Sequence, residues 1–254
     1  MIRIKTAEDI RRMRTAGTVV ARTIEDLRNS LIPGRTTTED LDRLASRLLK
    51  ERGAKSSFRG FRGYPKTICV AVNEEVVHGI PGKRVINAGD IVGVDVGAAM
   101  DGYHADAATT LAVGEVTERV VRFLDLSKQA LMAGIEQAVP GNRIGDIGHA
   151  IQEFAEKHGY SVVRDLVGHG IGFTLHEEPQ VPNYGNPGEG ILLREGMTLA
   201  IEPMVNMGGP EVQTLSDGWT CVTRDGMVSA HFEHTVAITA DGPDILTLLP
   251  EDAP

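Results

Sequence analysis

The sequence predicts an α+β fold in which two similar halves each run from helices into strands. Three observations point there. Long stretches with apolar residues at helical spacing are followed by short apolar runs of strand length. Gly and Pro mark the joins between them. The same landmarks then return about one half-chain later. Pro33-Gly34 and Pro140-Gly141 are offset by 107 (140 − 33), as are Gly89 and Gly196 (196 − 89) and Asp95 and Glu202 (202 − 95), while Gly53 and Gly159 differ by 106 (159 − 53). Isolated Gly and Pro-Gly pairs are common. Two carboxylates that align at the same offset as the turns are not, and Ile86–Asp90 and Leu193–Met197 each lead into an apolar strand that ends in one of them.

The elements follow in order. Thr6 caps a first helix with Asp9 three residues on, and its pattern runs to about Leu27. Pro33-Gly34 turns the chain. Thr38 begins a second helix, Glu39 to Arg52, which Gly53 ends. Strands are expected at Thr67–Val72, Ile91–Val96 and Thr109–Val113, with Met100-Asp101-Gly102-Tyr103 as a hairpin turn between the last two. A third helix spans about Val116 to Ala138. After the Pro140-Gly141 turn, a fourth spans Ile144 to Lys157, ended by Gly159. Strands are expected again at Thr198–Ile201, Gly218–Val222 and Phe232–Ile238.

Bulk composition narrows the class. The 254 residues fit one large domain or two small ones, and 41% hydrophobic content is enough for a core. A net charge of −9 argues against a general nucleic-acid binder, whose affinity rests on phosphate neutralisation. Two cysteines, Cys69 and Cys221, make no disulfide framework, and no Cys/His cluster suggests structural zinc. No stretch approaches the ~18 apolar residues of a membrane span. The N-terminus lacks a signal-peptide pattern. A reduced, cytoplasmic chain is expected.

The chemistry is carried by acids and one histidine in segments that place them. Asp95 ends Ile91-Val92-Gly93-Val94. Asp106 sits in Tyr103-His104-Ala105-Asp106-Ala107. His169 lies in Gly168-His169-Gly170-Ile171-Gly172. Glu202 follows Leu199-Ala200-Ile201, and Glu233 sits in His231-Phe232-Glu233-His234. A strand-terminal Asp taken alone is usually a turn or surface residue. Four carboxylates and an imidazole on strand-like segments are costly to bury without compensating charge. A pair of divalent ions would compensate them. Oxygen ligands with one imidazole suit Mn, Fe, Co or Zn. The eleven residues from Asp95 to Asp106 (106 − 95) span the hairpin, so adjacent strands can present both on one face. A bridging carboxylate can hold two ions ~3.5–4 Å apart with a hydroxide between them as nucleophile.

Other features read more plainly. Glycine beside His169 is expected to let a substrate approach the backbone. The run lacks G-x-G-x-x-G spacing and is no phosphate loop. His176-Glu177-Glu178-Pro179 is no HExxH motif, since Gln180 stands where the second His would be. Glu177 and Glu178 are expected to be exposed. His231 and His234 are expected to point away from the face of Glu233, and His104 to support Asp106. His149 and His158 read as structural. No G-x-S-x-G elbow is present.

Taken in order, the segments closely resemble the type I methionine aminopeptidases. The likeness spans nearly the whole chain, from Thr6-Ala7-Glu8-Asp9-Ile10 to Glu233-His234-Thr235-Val236-Ala237. Its most specific parts are Gly63-Tyr64-Pro65-Lys66, Asn73-Glu74 with Val77-His78-Gly79-Ile80-Pro81, Asp95-Val96-Gly97, Gly168–Gly172, His176–Pro179 and Ile201-Glu202-Pro203. The resemblance implies one catalytic domain over 1–254. It also implies the pita-bread fold, an antiparallel sheet with outer helices and pseudo-twofold halves.

It further implies a dinuclear site. Asp95 chelates one metal, His169 binds the other with Glu202, and Asp106 and Glu233 bridge both. A metal-bridging water attacks the first peptide bond, with Glu202 as general base. His176 helps stabilise the tetrahedral intermediate, and His78 contacts the substrate near the scissile bond. The substrate's free amino group binds a metal, so one N-terminal methionine is removed when the second residue is small.

The methionine pocket matches at Tyr64, Cys69 and Trp219. Phe58, Phe61 and Arg62 stand where many bacterial members have Cys, Tyr and His, and Leu175 where Phe is common. The pocket stays apolar. The 26 residues from His176 to Glu202 (202 − 176) leave no room for the insertion of type II members. Prolidases of the same fold carry a large preceding domain, and non-catalytic relatives have lost ligands, whereas all five are present here. Nascent polypeptide N-termini are the expected partners, with at most weak, surface-local contact to the ribosome because no basic tail is present. No membrane partner is expected. A monomer is.

Overall fold

The computed structural model describes residues 2–249, so the outermost residues of the expected 1–254 domain lie outside the described part. Four helices form: α1 Ala7–Asn29, α2 Thr38–Glu51, α3 Glu118–Glu136 and α4 Ile144–Lys157. The helix boundaries agree with the sequence reading to within two residues. Local capping fixes them. The Thr6 side chain accepts the Asp9 amide while Asp9 accepts the Thr6 amide, and Thr37 and Asp40 do the same at α2.

The strands pair antiparallel throughout. One sheet sets β1 Cys69–Val72 against β2 Ile91–Met100, and β2 against β3 Tyr103–Ala112. A second sheet carries β4 Val167–Gly170, β5 Glu177–Pro182, β6 Thr198–Ile201, β7 His234–Thr239 and β8 Gly242–Ile245, in the order β8-β7-β6-β4-β5. Met204–Asn206 and Cys221–Thr223 centre two smaller sheets. The β2–β3 hairpin is longer than expected. Gly97-Ala98-Ala99 and Ala105–Ala108 carry little strand propensity, yet both are inside it. Gly218–Thr220 lie outside the strand that starts at Cys221, and Phe232-Glu233 lie between strands rather than in one.

The repeat is present in the hydrogen bonds. Gly34 N–H donates to Ile86 O, and Gly141 N–H donates to Leu193 O, offset by 107 on both sides (141 − 34, 193 − 86). Isolated bridges join Thr37 to Val85 and Arg143 to Leu192, offset by 106 and 107 (143 − 37, 192 − 85). Each half has its own core. Leu27, Leu41 and Leu49 of the first helices pack on Val92 and Val94, and Phe123, Ile147 and Ile151 pack on Leu199 and Ile201.

The halves meet along a seam of side-chain hydroxyls. Thr235 Oγ1 donates to Asp106 O at 2.8 Å and accepts Asp106 N–H at 2.9 Å. Thr110 Oγ1 does the same with the carbonyl and amide of His231, both at 2.9 Å. Between them Glu233 N–H donates to Ala108 O at 2.9 Å. The three contacts share one antiparallel register, since 106 + 235, 108 + 233 and 110 + 231 all equal 341. Two threonines thus supply the pairing that a backbone ladder would give, and Asp106 and Glu233 sit on this seam.

Candidate active site

Thirteen residues singled out in the sequence line one cavity of about 580 Å³: Phe58, Phe61, Tyr64, Cys69, His78, Asp95, Asp106, His169, Leu175, His176, Glu202, Trp219 and Glu233. Each is placed by a local device. Asp95 and Asp106 lie on β2 and β3, where Asp106 opposes Gly97, two residues beyond Asp95, so both carboxylates share a face. Gly97 leaves room for the Phe58 ring, which a Cβ there would meet at 2.5 Å. His169 is on β4, with Ala200 of β6 opposite it, and Glu202 follows the end of β6.

The glycines around His169 have a different purpose from the one expected. A Cβ at Gly168 would meet Ala200 O at 2.4 Å, and one at Gly170 would meet Glu178 O at 2.3 Å. They let neighbouring strands close on His169 from both sides. The His169 Nδ1 hydrogen donates to Gly170 O at 2.9 Å, which leaves Nε2 with its lone pair, 3.4 Å from Glu202 Oε1. That is the tautomer a metal ligand needs.

The electrostatics call for a cation. Asp95 Oδ1, Asp106 Oδ1, Glu202 Oε1 and Glu233 Oε1 are buried and have no hydrogen-bond partner among the described residues. Burial drives the Asp95, Glu202 and Glu233 carboxyls far above the usual carboxylate range, with Asp106 adding repulsion to each, and burial pushes Asp106 to about 7. Burial likewise holds His169 down to about 3. Ligand atoms of Asp106, His169 and Glu233 all lie within 4.8 Å of one another. A neutral imidazole beside unpartnered carboxylate oxygens fits a divalent ion of the first transition row.

An apolar and histidine-rich wall faces the acids. The Tyr64 hydroxyl sits between the carbonyls of Ile68 and Gly79, 3.0 Å from each, and its ring meets Trp219 edge-on at 5.0 Å. His78 holds a left-handed backbone (φ 60°), and Gly79 must lack a Cβ because Val70 O is 2.1 Å from where it would be. His176 lies 4.0 Å from the His169 ring and 4.8 Å from Phe61. Burial, with Arg62 and His78 nearby, lowers His176 to about 4, so it is neutral near pH 7.

Three expectations are corrected. His231 points into the site, with Nε2 3.7 Å from Glu202 Oε2. Only His234 points away, where its Nδ1 meets Thr247 Oγ1 at 2.8 Å. The Glu177 side chain is only 4% exposed, because Lys5 from the far end of the chain pairs with it; Glu178 is exposed. His104 binds Ser57 Oγ at 2.9 Å rather than a site carboxylate. Leu166 and Met204 also line the cavity. Neither carries a sequence signal, since both read as ordinary core residues.

Comparison with known proteins identifies the family. The family model described as metallopeptidase family M24 matches residues 11–240. A methionine aminopeptidase of Clostridium acetobutylicum is 52% identical over 249 residues, covering 98% of this chain and 99% of that protein. The crystal structure of a methionine aminopeptidase from Thermotoga maritima superposes with a TM-score of 0.95 at 50% identity, over 97% of this chain and 99% of that one. A prolidase from Pyrococcus furiosus shares the fold at 24% identity, with a TM-score of 0.77 over 96% of this chain and 65% of its own. The shared architecture is the pita-bread fold. With the family model covering most of the chain and relatives matching it nearly end to end, the chain belongs to the methionine aminopeptidases of metallopeptidase family M24.

Proposed function

We propose that this chain, acting as one catalytic domain over 1–254, removes the N-terminal methionine from nascent proteins whose second residue is small. The observation that carries the reading is the set of four unpartnered, buried carboxylate oxygens converging with His169 beside an apolar pocket. Asp95 would hold one divalent ion, His169 and Glu202 the other, and Asp106 and Glu233 both. Bound ions would supply Lewis acidity and lower the pKa of water toward neutrality.

The protein's own groups do the rest. Glu202 accepts the proton that the attacking water loses and delivers it to the departing amine. Its position suits this, in the cavity wall with Oε1 3.4 Å from His169 Nε2. His176 donates a hydrogen bond to the scissile carbonyl oxygen as charge develops there. His78 contacts the substrate beside that bond. Phe58, Phe61, Tyr64, Cys69, Leu175 and Trp219 take up the methionine side chain. The substrate's free α-amino group would give its lone pair to a bound ion, which limits removal to one residue.

The ion is Mn, Fe, Co or Zn, all of which accept this donor set. Work on nascent chains entails a cytoplasmic location and a weak encounter with the ribosome, and a monomer suffices. Purified protein with Mn or Co should release Met from Met-Ala-Ser and spare Met-Lys-Ser. Equal cleavage of both would sink the small-residue preference. Glu202→Ala should abolish turnover, and normal activity in that variant would refute the general-base role.

A further inference from the structure

We propose that Lys5 and Glu177 form a buried clamp that positions His176, so that Lys5 acts on the reaction from outside the cavity. Lys5 Nζ lies 2.6 Å from Glu177 Oε2, and the two side chains are 2% and 4% exposed. The other Glu177 oxygen, Oε1, accepts the amides of Phe173 at 2.8 Å and Thr174 at 3.1 Å. One carboxylate therefore ties the loop before His176 to the segment that precedes α1.

Both ends of the clamp are built for it. Lys5 N–H donates to Gly196 O at 2.7 Å, which fixes the strap against the second half, and Nζ also donates to Arg3 O at 3.1 Å. At Gly172 the space of an absent Cβ is filled by the lysine stem, with Cε 2.3 Å from that point. Gly172 O accepts His104 N–H at 2.7 Å, and Thr174 Oγ1 donates to His176 O at 3.0 Å. The stretch from Gly172 to Glu177 is thus fastened at nearly every residue. It carries Leu175 on the pocket wall and His176 against the His169 ring.

A buried ion pair is poor at adding stability compared with an apolar pair of the same volume, but it fixes one geometry. Here that geometry is the placement of a hydrogen-bond donor. The inference rests on the role given to His176 above, and the test separates the two. Lys5→Met keeps the stem and removes the charge. In Mn-loaded protein acting on Met-Ala-Ser, below the melting range, it should lower kcat about 10–100-fold with little change in KM, the loss expected from misplacing a reacting group by about 1 Å. In a His176→Ala background the same change should cost less than about twofold, since residues acting as a unit are not additive.

Glu177→Gln is the second variant in case Lys5→Met does not fold. A buried lysine can shed its proton, so no charge need stay unpaired. It should show the same dependence on His176. In metal-free protein either change should speed amide exchange at Phe173 and Thr174 at least about tenfold, relative to the surrounding strands. An equal loss of kcat with and without His176, or no loss in either variant, overturns the clamp and leaves the role of His176 standing. Full activity in His176→Ala overturns that role, and with it the clamp.

Discussion

Thr235→Val tests whether side-chain hydroxyls truly join the two halves. The residue is fully buried, and its hydroxyl binds both backbone atoms of Asp106. Valine matches its shape and removes only those bonds. The amide and carbonyl of Asp106 would then be buried without partners, at about 1–3 kcal/mol each, or about 2–6 kcal/mol together. For a chain of this length 1 kcal/mol moves the melting temperature by about 2 °C, so Tm should fall by about 4–12 °C. Calorimetry on metal-free protein measures this without interference from bound ions. Thr235→Ser keeps the hydroxyl and should fall by no more than about 3 °C, the cost of one buried methyl group. Divalent-ion affinity should drop in the valine variant as well, because Asp106 loses its anchor. A shift below about 2 °C for valine, or equal shifts for valine and serine, would refute the seam.

Three further outcomes follow from the site. Gly97→Ala would drive a Cβ into the Phe58 ring, so KM for methionine peptides should rise up to about tenfold as methionine burial is lost, with kcat little changed; an unaltered KM would remove Phe58 from the pocket wall. His231→Leu keeps bulk but removes the nitrogen beside Glu202, and should lower activity or metal affinity about 10–100-fold, read by titration calorimetry with Mn; wild-type affinity and kcat would show that His231 is only filler. Asp106 at about 7 in the metal-free fold keeps a proton that the unfolded chain has released. Its contribution to stability is therefore complete below about pH 4 and is lost as pH rises through about 7. The buried histidines, held low, act in the opposite sense and are common to both proteins. Metal-free protein should thus lose Tm across that window relative to Asp106→Asn, and Mn should abolish the difference; parallel curves would be the contrary result.

Residues that announced themselves in the sequence did so because their signals are local. Thr6 with Asp9, and Thr37 with Asp40, set helix starts within one turn. Asp95, Asp106, Glu202 and Glu233 stood out because acids are unusual beside apolar strand residues. Signals failed where the partner is remote. Glu177 reads as a solvated acid until Lys5 arrives from 172 residues away. His231 reads as facing away from Glu233, whereas its Nε2 reaches Glu202, 29 residues earlier in the chain (231 − 202). Gly168 and Gly170 read as a gap for substrate, whereas neighbouring carbonyls occupy that space.

The sequence by itself determined the four helices, the hairpin, the repeat of about 107 residues and the identity of the acids and histidines, because capping, periodicity and turn chemistry act over a few residues. Only the tertiary structure decided how these groups face one another. The seam through Thr110 and Thr235, the approach of His231 to Glu202 and the burial of Glu177 all depend on contacts between segments far apart in the chain. The physical reason is the same in each case. A buried polar group must find its partner somewhere in the folded molecule, and which partner it finds is settled by packing across the two halves rather than by its neighbours in sequence.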